Sequence, residues 1–235
     1  MKMFGFDAYS PPEIAEKVET VGVAKARLPL LAMTMLGIVA GGFIGLGALY
    51  HTLVASDTQL SFVAVHVLGG LAFSLGLILV VIAGAELFTG NNLLVMAWAD
   101  RKITTSELLR NWSVVYIANA LGAIGLAGIV FLSQHGSLNG GAVAAASVKI
   151  AAAKTALPFA EAFFKGVLGN LLVCLAIWLA LAGRTVSNKI LAIVLPISAF
   201  VAAVANIALP TCTASPSASS CATTRHPRGL PISPR

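Results

Sequence analysis

The chain has 235 residues, of which 58% are hydrophobic and only 10% charged, whereas an ordinary soluble domain carries about a quarter charged residues. Nothing in that composition can cover so much apolar surface in water, so a soluble globule is excluded and a single membrane domain is expected. The formal charge of +6 does not indicate a nucleic-acid binder, because the basic residues stand singly or in pairs at the ends of apolar runs, where they set membrane orientation.

Residues 10–27 read as a short amphipathic helix. Ser10 caps it, Pro11 suits the first helical position, Glu13 completes a capping box, and Ile14, Val18 and Val21 share a face. The opening thirty residues lack the apolar core of a cleavable leader. A first span over 28–51 carries Gly37, Gly41 and Gly45 four apart, a small-residue stripe that admits a close neighbour. After a loop without Lys or Arg comes an apolar stretch, 62–99, with Glu86 as its single charge. A third span is expected over 111–132 and a fourth over 159–181, with Lys149 and Lys154 in the loop between them; a fifth begins near Ile190.

Alternate loops hold nine basic residues against two, which places the N-terminus in the cytoplasm. The stretch 62–99 must then cross an odd number of times, yet as one helix its 38 residues would run about 57 Å, nearly twice the hydrocarbon thickness. One crossing with a non-helical interruption resolves this. Residues 85–92 (AELFTGNN) supply the place, since Thr, Gly and two Asn favour caps and turns. Glu86 should face protein or a water-filled cavity, where irregular backbone at membrane depth is tolerated. The plainer reading is that Glu86 and Thr89 satisfy buried neighbours. Cys174 lies within an apolar span and reads as packing; His51, His66 and His135 stand near span ends and read as interface residues. No metal-spaced His/Cys set and no nucleophile–base pair supports an enzyme, and no Asn-Pro-Ala box supports a water or glycerol channel.

The segments FSLGLILVVIAGAELFTGNNL, RNWSVVYIANALGA, LPFAEAFFKGVLGNLLVCLAIWLALAGRT and KILAIVLPISAFVAA, with the N-terminal helix, resemble the formate/nitrite transporter family over roughly residues 5–203. The resemblance implies an all-α membrane protein, an aquaporin-like bundle with a broken second transmembrane helix and inverted repeats. It implies a homopentamer in the bacterial inner membrane that passes a small monovalent anion, formate first and nitrite next, with protons involved and no cofactor.

By the same resemblance Phe73 and Leu77 match pore-lining positions of the cytoplasmic half. Leu87, Phe88 and Thr89 match the loop at the break, where apolar side chains narrow the path and the Thr hydroxyl meets the anion. Lys154 matches a basic residue that draws anions inward, and a solvated lysine is its alternative. Glu161 and Asn170 match polar positions on the fourth span. Glu161 can also pair with Lys165 on one helix face, and Asn170 can serve as an interhelical hydrogen-bond partner. Phe200 matches an outer constriction.

The expected organisation is therefore an N-terminal cytoplasmic segment at 1–27, a channel domain of about five spans at 28–205, and a disordered tail at 206–235 rich in Ser, Thr and Pro. The family's second motif, Gly-x-Glu-His-x-x-Ala-Asn-Met-Tyr, is not found after Ala203, although the codons there permit it in a shifted frame. The repeat's second half then reads as incomplete through truncation or frameshift, and a non-transporting remnant or membrane interaction protein is the alternative function.

Overall fold

The computed structural model describes residues 8–202. The expectations for the tail, the shifted frame and the missing second motif lie outside the described residues. Within them the order is α1 (Pro11–Ala26), α2 (Leu30–Ala55), α3 (Phe62–Ala83), α4 (Phe88–Asn91), α5 (Leu94–Ala99), α6 (Thr105–Leu132), α7 (Ala142–Thr155), α8 (Phe159–Ala182) and α9 (Val186–Phe200); a 3-10 segment, His135–Gly141, leads into α7. Four of these helices, α2, α3, α6 and α8, are long and apolar enough to cross a bilayer, and α9 is a shorter apolar helix of 15 residues.

Helix α1 starts as its sequence predicts. The Glu13 carboxylate accepts from the Ser10 N–H at 2.7 Å and from its hydroxyl at 2.6 Å, while Pro11 takes the first turn, where no N–H is needed. Ile14, Val18, Gly22 and Ala26 form the buried face, and Ala26 joins Leu94, Ala97, Ile103 and Leu108 in one cluster. Both ends of α1 are fastened. Ahead of it, Tyr9 donates its backbone N–H to the Ala182 carbonyl at 2.9 Å, and its ring lies 4.1 Å from the Lys17 ammonium and 4.4 Å from the Arg184 guanidinium. Behind it, Arg27 donates to Glu107 and to the Lys102 carbonyl, each at 3.1 Å. Lys102 pairs with Glu19 and with Asp100, and those carboxylates, Glu19 foremost, hold its ammonium above the usual lysine range.

The glycine stripe of α2 faces α6. A methyl on Gly41 would run into the Asn119 carbonyl, and one on Gly122 into the Ile38 carbonyl, so the two backbones meet where no Cβ fits. On its other side α2 meets α3 in the same way, with Gly47 against the Phe73 carbonyl.

Helix α3 stops at Gly84, whose φ of 71° is left-handed and suits glycine; the Ala85 N–H closes back on the Val80 carbonyl at 2.9 Å. Residues 85–87 are not helical, and the chain coils again at Phe88–Asn91. The irregular stretch thus starts where expected but is shorter than 85–92, because the Asn91 N–H finds the Leu87 carbonyl at 2.9 Å and completes a turn. Two further differences have local causes. Helix α6 begins at Thr105, ahead of the expected 111, because Thr104 and Glu107 form a capping box: the Thr104 hydroxyl accepts from the Glu107 N–H at 3.2 Å and the Glu107 carboxylate accepts from the Thr104 N–H at 2.7 Å. Lys149 and Lys154 sit on helix α7 and not in a loop, since half of its 14 residues are alanine, the strongest helix former.

Candidate functional site

The non-helical residues 85–87 lie among four long apolar helices, so their freed backbone groups need partners from side chains. Asn119 of α6 supplies two at this break, for the Glu86 carbonyl and the Phe88 N–H. Its carbonyl oxygen accepts from the Phe88 N–H at 2.8 Å, and its amide donates to the Glu86 and Gly37 carbonyls, each at 2.8 Å. The Glu86 N–H reaches the Leu36 carbonyl at 3.3 Å. The Glu86 side chain is 2% exposed and would be costly there uncompensated. Its two oxygens accept from Lys25 Nζ and from Asn91 Nδ2, both at 2.7 Å. Asn91 also donates to Asn111 at 2.9 Å, and Asn111 donates to the Lys25 carbonyl at 3.2 Å, closing the network on α1. Trp112 fixes the Asn91 carbonyl at 3.0 Å.

This polar knot borders a cavity of about 200 Å³ between α1, the end of α3 and α8, lined mainly by apolar side chains with Lys25 at its edge. Leu87 lines the cavity and belongs to one buried cluster with Leu77, Val80, Val173, Ile193 and Ile197. Phe73 and Phe200 pack on that cluster and stack on each other, ring centres 5.8 Å apart at 23°. Beyond them His51 stands edge-on to Phe73 at 6.5 Å. Four of the sequence-predicted site residues, Phe73, Leu77, Leu87 and Phe200, therefore meet in one apolar column, which touches the cavity through Leu87.

The other five lie off that column or at its far end. Phe88 turns to α6, edge-on to Trp112 and Tyr116. Thr89 is partly buried, its carbonyl 3.5 Å from the Cys174 thiol. Asn170 accepts from Asn92 at 2.8 Å and reaches Cys174 at 3.7 Å, so it links α8 to the turn after α4. Glu161 is exposed and pairs with Lys165 at 2.6 Å, one turn along α8. Lys154 is exposed in the last turn of α7.

The sequence profile of the formate/nitrite transporter family matches residues 12–207. The chain belongs to the formate/nitrite transporter family. It is 37% identical over 198 residues to the formate channel FocA of Escherichia coli strain K12, covering 84% of this chain and 70% of that one. It is 40% identical over 195 residues to the formate channel BtFdhC of Bacillus thuringiensis, covering 82% and 74%. Among solved structures it resembles a pentameric formate channel with formate bound, at a TM-score of 0.70 and 39% identity over 73% of this chain and 68% of the other. It also resembles an ion channel of this family at a TM-score of 0.73 and 29% identity, covering 81% and 76%. The fold is accordingly the all-α, multi-spanning membrane fold of formate/nitrite transporters.

Four residues that hold this formate/nitrite transporter's interruption together, Lys25, Asn91, Asn111 and Asn119, were not among the sequence-predicted site residues. A signal existed for two of them. Asn111 and Asn119 stand eight apart in an apolar run, two helical turns on one face. Buried amides so spaced point at something polar on a neighbouring element.

Proposed function

We propose that the chain is a channel for a small monovalent anion, formate first and nitrite next, working as a homopentamer in the bacterial inner membrane. In this reading the N-terminus is cytoplasmic, α3, the interruption and α4–α5 form one broken transmembrane crossing, and α8–α9 open an inverted second repeat. The observation that carries it is the column from the cavity through Leu87 and Leu77 to the stacked Phe73 and Phe200, set beside an interruption whose backbone is held by Asn119. Membership of the family and the likeness to a formate-bound pentameric channel support it.

The chemistry of the column suggests how passage works. An apolar slit strips water from an anion, and a bare charge without partners is expensive there. A proton taken up at the slit neutralises the solute, so anion and proton cross together. Leu77, Leu87, Phe73 and Phe200 form the slit, and the Thr89 hydroxyl and Asn170 amide offer hydrogen bonds at its inner side. Phe88 braces the interruption against α6, and Lys154 with Glu161 shapes the field at the outer mouth.

The test is uptake of labelled formate and nitrite by proteoliposomes carrying the purified protein. Uptake above empty vesicles, with internal alkalinisation on efflux of the neutral acid, is expected. Vesicles with well-folded protein that take up neither anion would sink the reading.

A further inference from the structure

Three positions on one face of α8, Asn170, Cys174 and Ile177, meet the short turn α4 and its exit at three places. The Asn170 side-chain oxygen accepts from Asn92 at 2.8 Å, and the Cys174 thiol donates to the Thr89 carbonyl at 3.5 Å. Those two bonds fix how the turn sits along α8. The third meeting involves no polar atom: a methyl on Gly90 would stand 2.3 Å from Ile177 Cδ1. Gly90 is buried and helical, and its φ is not left-handed, so space and not backbone conformation calls for glycine there. The outer arm of Ile177 occupies the room that a side chain at position 90 would take.

This contact stands where the cavity meets the column. Gly90, Ile177 and Leu87 all line the cavity, and Ile177 packs on the buried cluster to which Leu87 and Leu77 belong. The cluster closes one side of Ile177, and the cavity leaves another side open. A shift of its terminal carbon therefore changes the width of the passage from cavity to column.

We infer that Gly90 and Ile177 set a second size limit on the pathway, at the cavity end of the column, and with Leu87 decide between formate and a carboxylate one methyl larger. The inference rests on the channel reading for the route that the anion takes. A methyl added at position 90 claims the place of Cδ1; that carbon, the end of a flexible side chain, turns toward the cavity and narrows the way into the column. Shortening Ile177 to valine does the reverse, since Cδ1 is the atom removed. One methylene more or less in a fitted apolar site changes discrimination by about tenfold or more.

The test is uptake of labelled formate and labelled acetate by proteoliposomes carrying the full chain, Gly90→Ala, Ile177→Val or the double variant, each normalised to folded protein by size exclusion. Ile177→Val is expected to raise acetate uptake relative to formate by about tenfold, and Gly90→Ala to lower it by a similar factor. The double variant should return toward the parent's ratio, because the added methyl fills the room that Cδ1 leaves. A merely structural role would change both anions by one factor and leave the ratio alone. Where Gly90→Ala alone does not fold, the double variant decides: a ratio equal to that of Ile177→Val overturns the inference, and a return toward the parent upholds it. Formate uptake by the parent with one ratio in all variants overturns the size limit and leaves the channel. A folded parent that takes up neither anion overturns both.

Discussion

Lys25 Nζ sits 2.7 Å from Glu86 Oε1, joining the amphipathic helix α1 to non-helical backbone 61 positions later in the chain. The two partners are unequally placed, because the Lys25 side chain is 26% exposed and the Glu86 side chain 2%. Removing one or the other is therefore not equivalent. Lys25→Ala strands a carboxylate in the interior and should cost about 3 kcal/mol, at the lower end for a broken buried pair. Glu86→Gln keeps a hydrogen-bonding side chain and leaves a lysine that can reach water, so its cost should be about 1 kcal/mol. Thermal unfolding in one detergent compares them, and equal midpoints would contradict the assigned burial.

Asn119 carries three hydrogen bonds to backbone, two of them, to the Phe88 N–H and the Glu86 carbonyl, at the interruption and the third to the Gly37 carbonyl of α2. Asn119→Leu should cost about 3 kcal/mol or more, given about 1–3 kcal/mol for each buried group left unpaired. Asn119→Asp keeps an acceptor for the Phe88 N–H but loses both donors, so it should be no less damaging than Leu. Limited proteolysis reports this directly, with cleavage expected to appear near residues 84–88 in both variants and not in the parent.

The seam between α2 and α6 separates adjacent glycines. At Gly41 a methyl meets the Asn119 carbonyl, while at Gly42 nothing lies within 4 Å. Gly41→Ala should prevent recovery of folded protein from membranes. Gly42→Ala should be neutral or stabilising by about 0.5–1 kcal/mol through helix propensity alone. Size-exclusion profiles of the two in the same detergent make the comparison.

Phe73 and Phe200 close the column by stacking. Truncating either to Ala should lower stability by about 3 kcal/mol and, on the channel reading, raise formate influx and admit larger carboxylates such as lactate. Influx unchanged in both variants would move the narrow point elsewhere.

The ionic fastening of α1 makes a salt prediction. Lys102 is held above the usual lysine range by Glu19 and then Asp100. A raised lysine pKa gives stabilisation that is fully present below the ordinary value, about 10.4, and is lost only as pH climbs through the folded one. Amide exchange over residues 11–26 should therefore not respond to Lys102 between about pH 6 and 9. Raising salt from about 0.05 to 0.5 M should speed it, because exposed pairs are screened.

The long apolar helices were legible because length and hydropathy are summed over many residues. The excess of the stretch 62–99 over a bilayer's thickness pointed to a break whichever residue made it. Which residue would begin the break was not legible. Gly84, whose left-handed φ ends α3, is one glycine among many in the apolar runs and carries no polarity to mark it, unlike 85–92. The capping pair Thr104 and Glu107 is a local signal that places the start of α6 inside the charged segment before the apolar run. The partners of Glu86 were unreadable in a stronger sense. Lys25 and Asn111 meet it or its neighbours only through tertiary packing, which no local period encodes. Phe88 shows the same limit: its adjacency to Leu87 says nothing of its turning toward Trp112 and Tyr116.

Tyr9 is gripped between Lys17 and Arg184, at the turn joining α8 and α9, while Arg27 grips the turn leading into α6. Helix α1 is 16 residues, about 24 Å of rigid rod, and Val18, Gly22 and Lys25 along it form one wall of the cavity. It is a crossbar bolted to both jambs of a doorway. Neither jamb can swing outward unless the bar travels with it or one bolt slips. The two bolts differ in kind, one ring between two cations and one guanidinium on a carboxylate and a carbonyl, so a change in salt loosens them unequally.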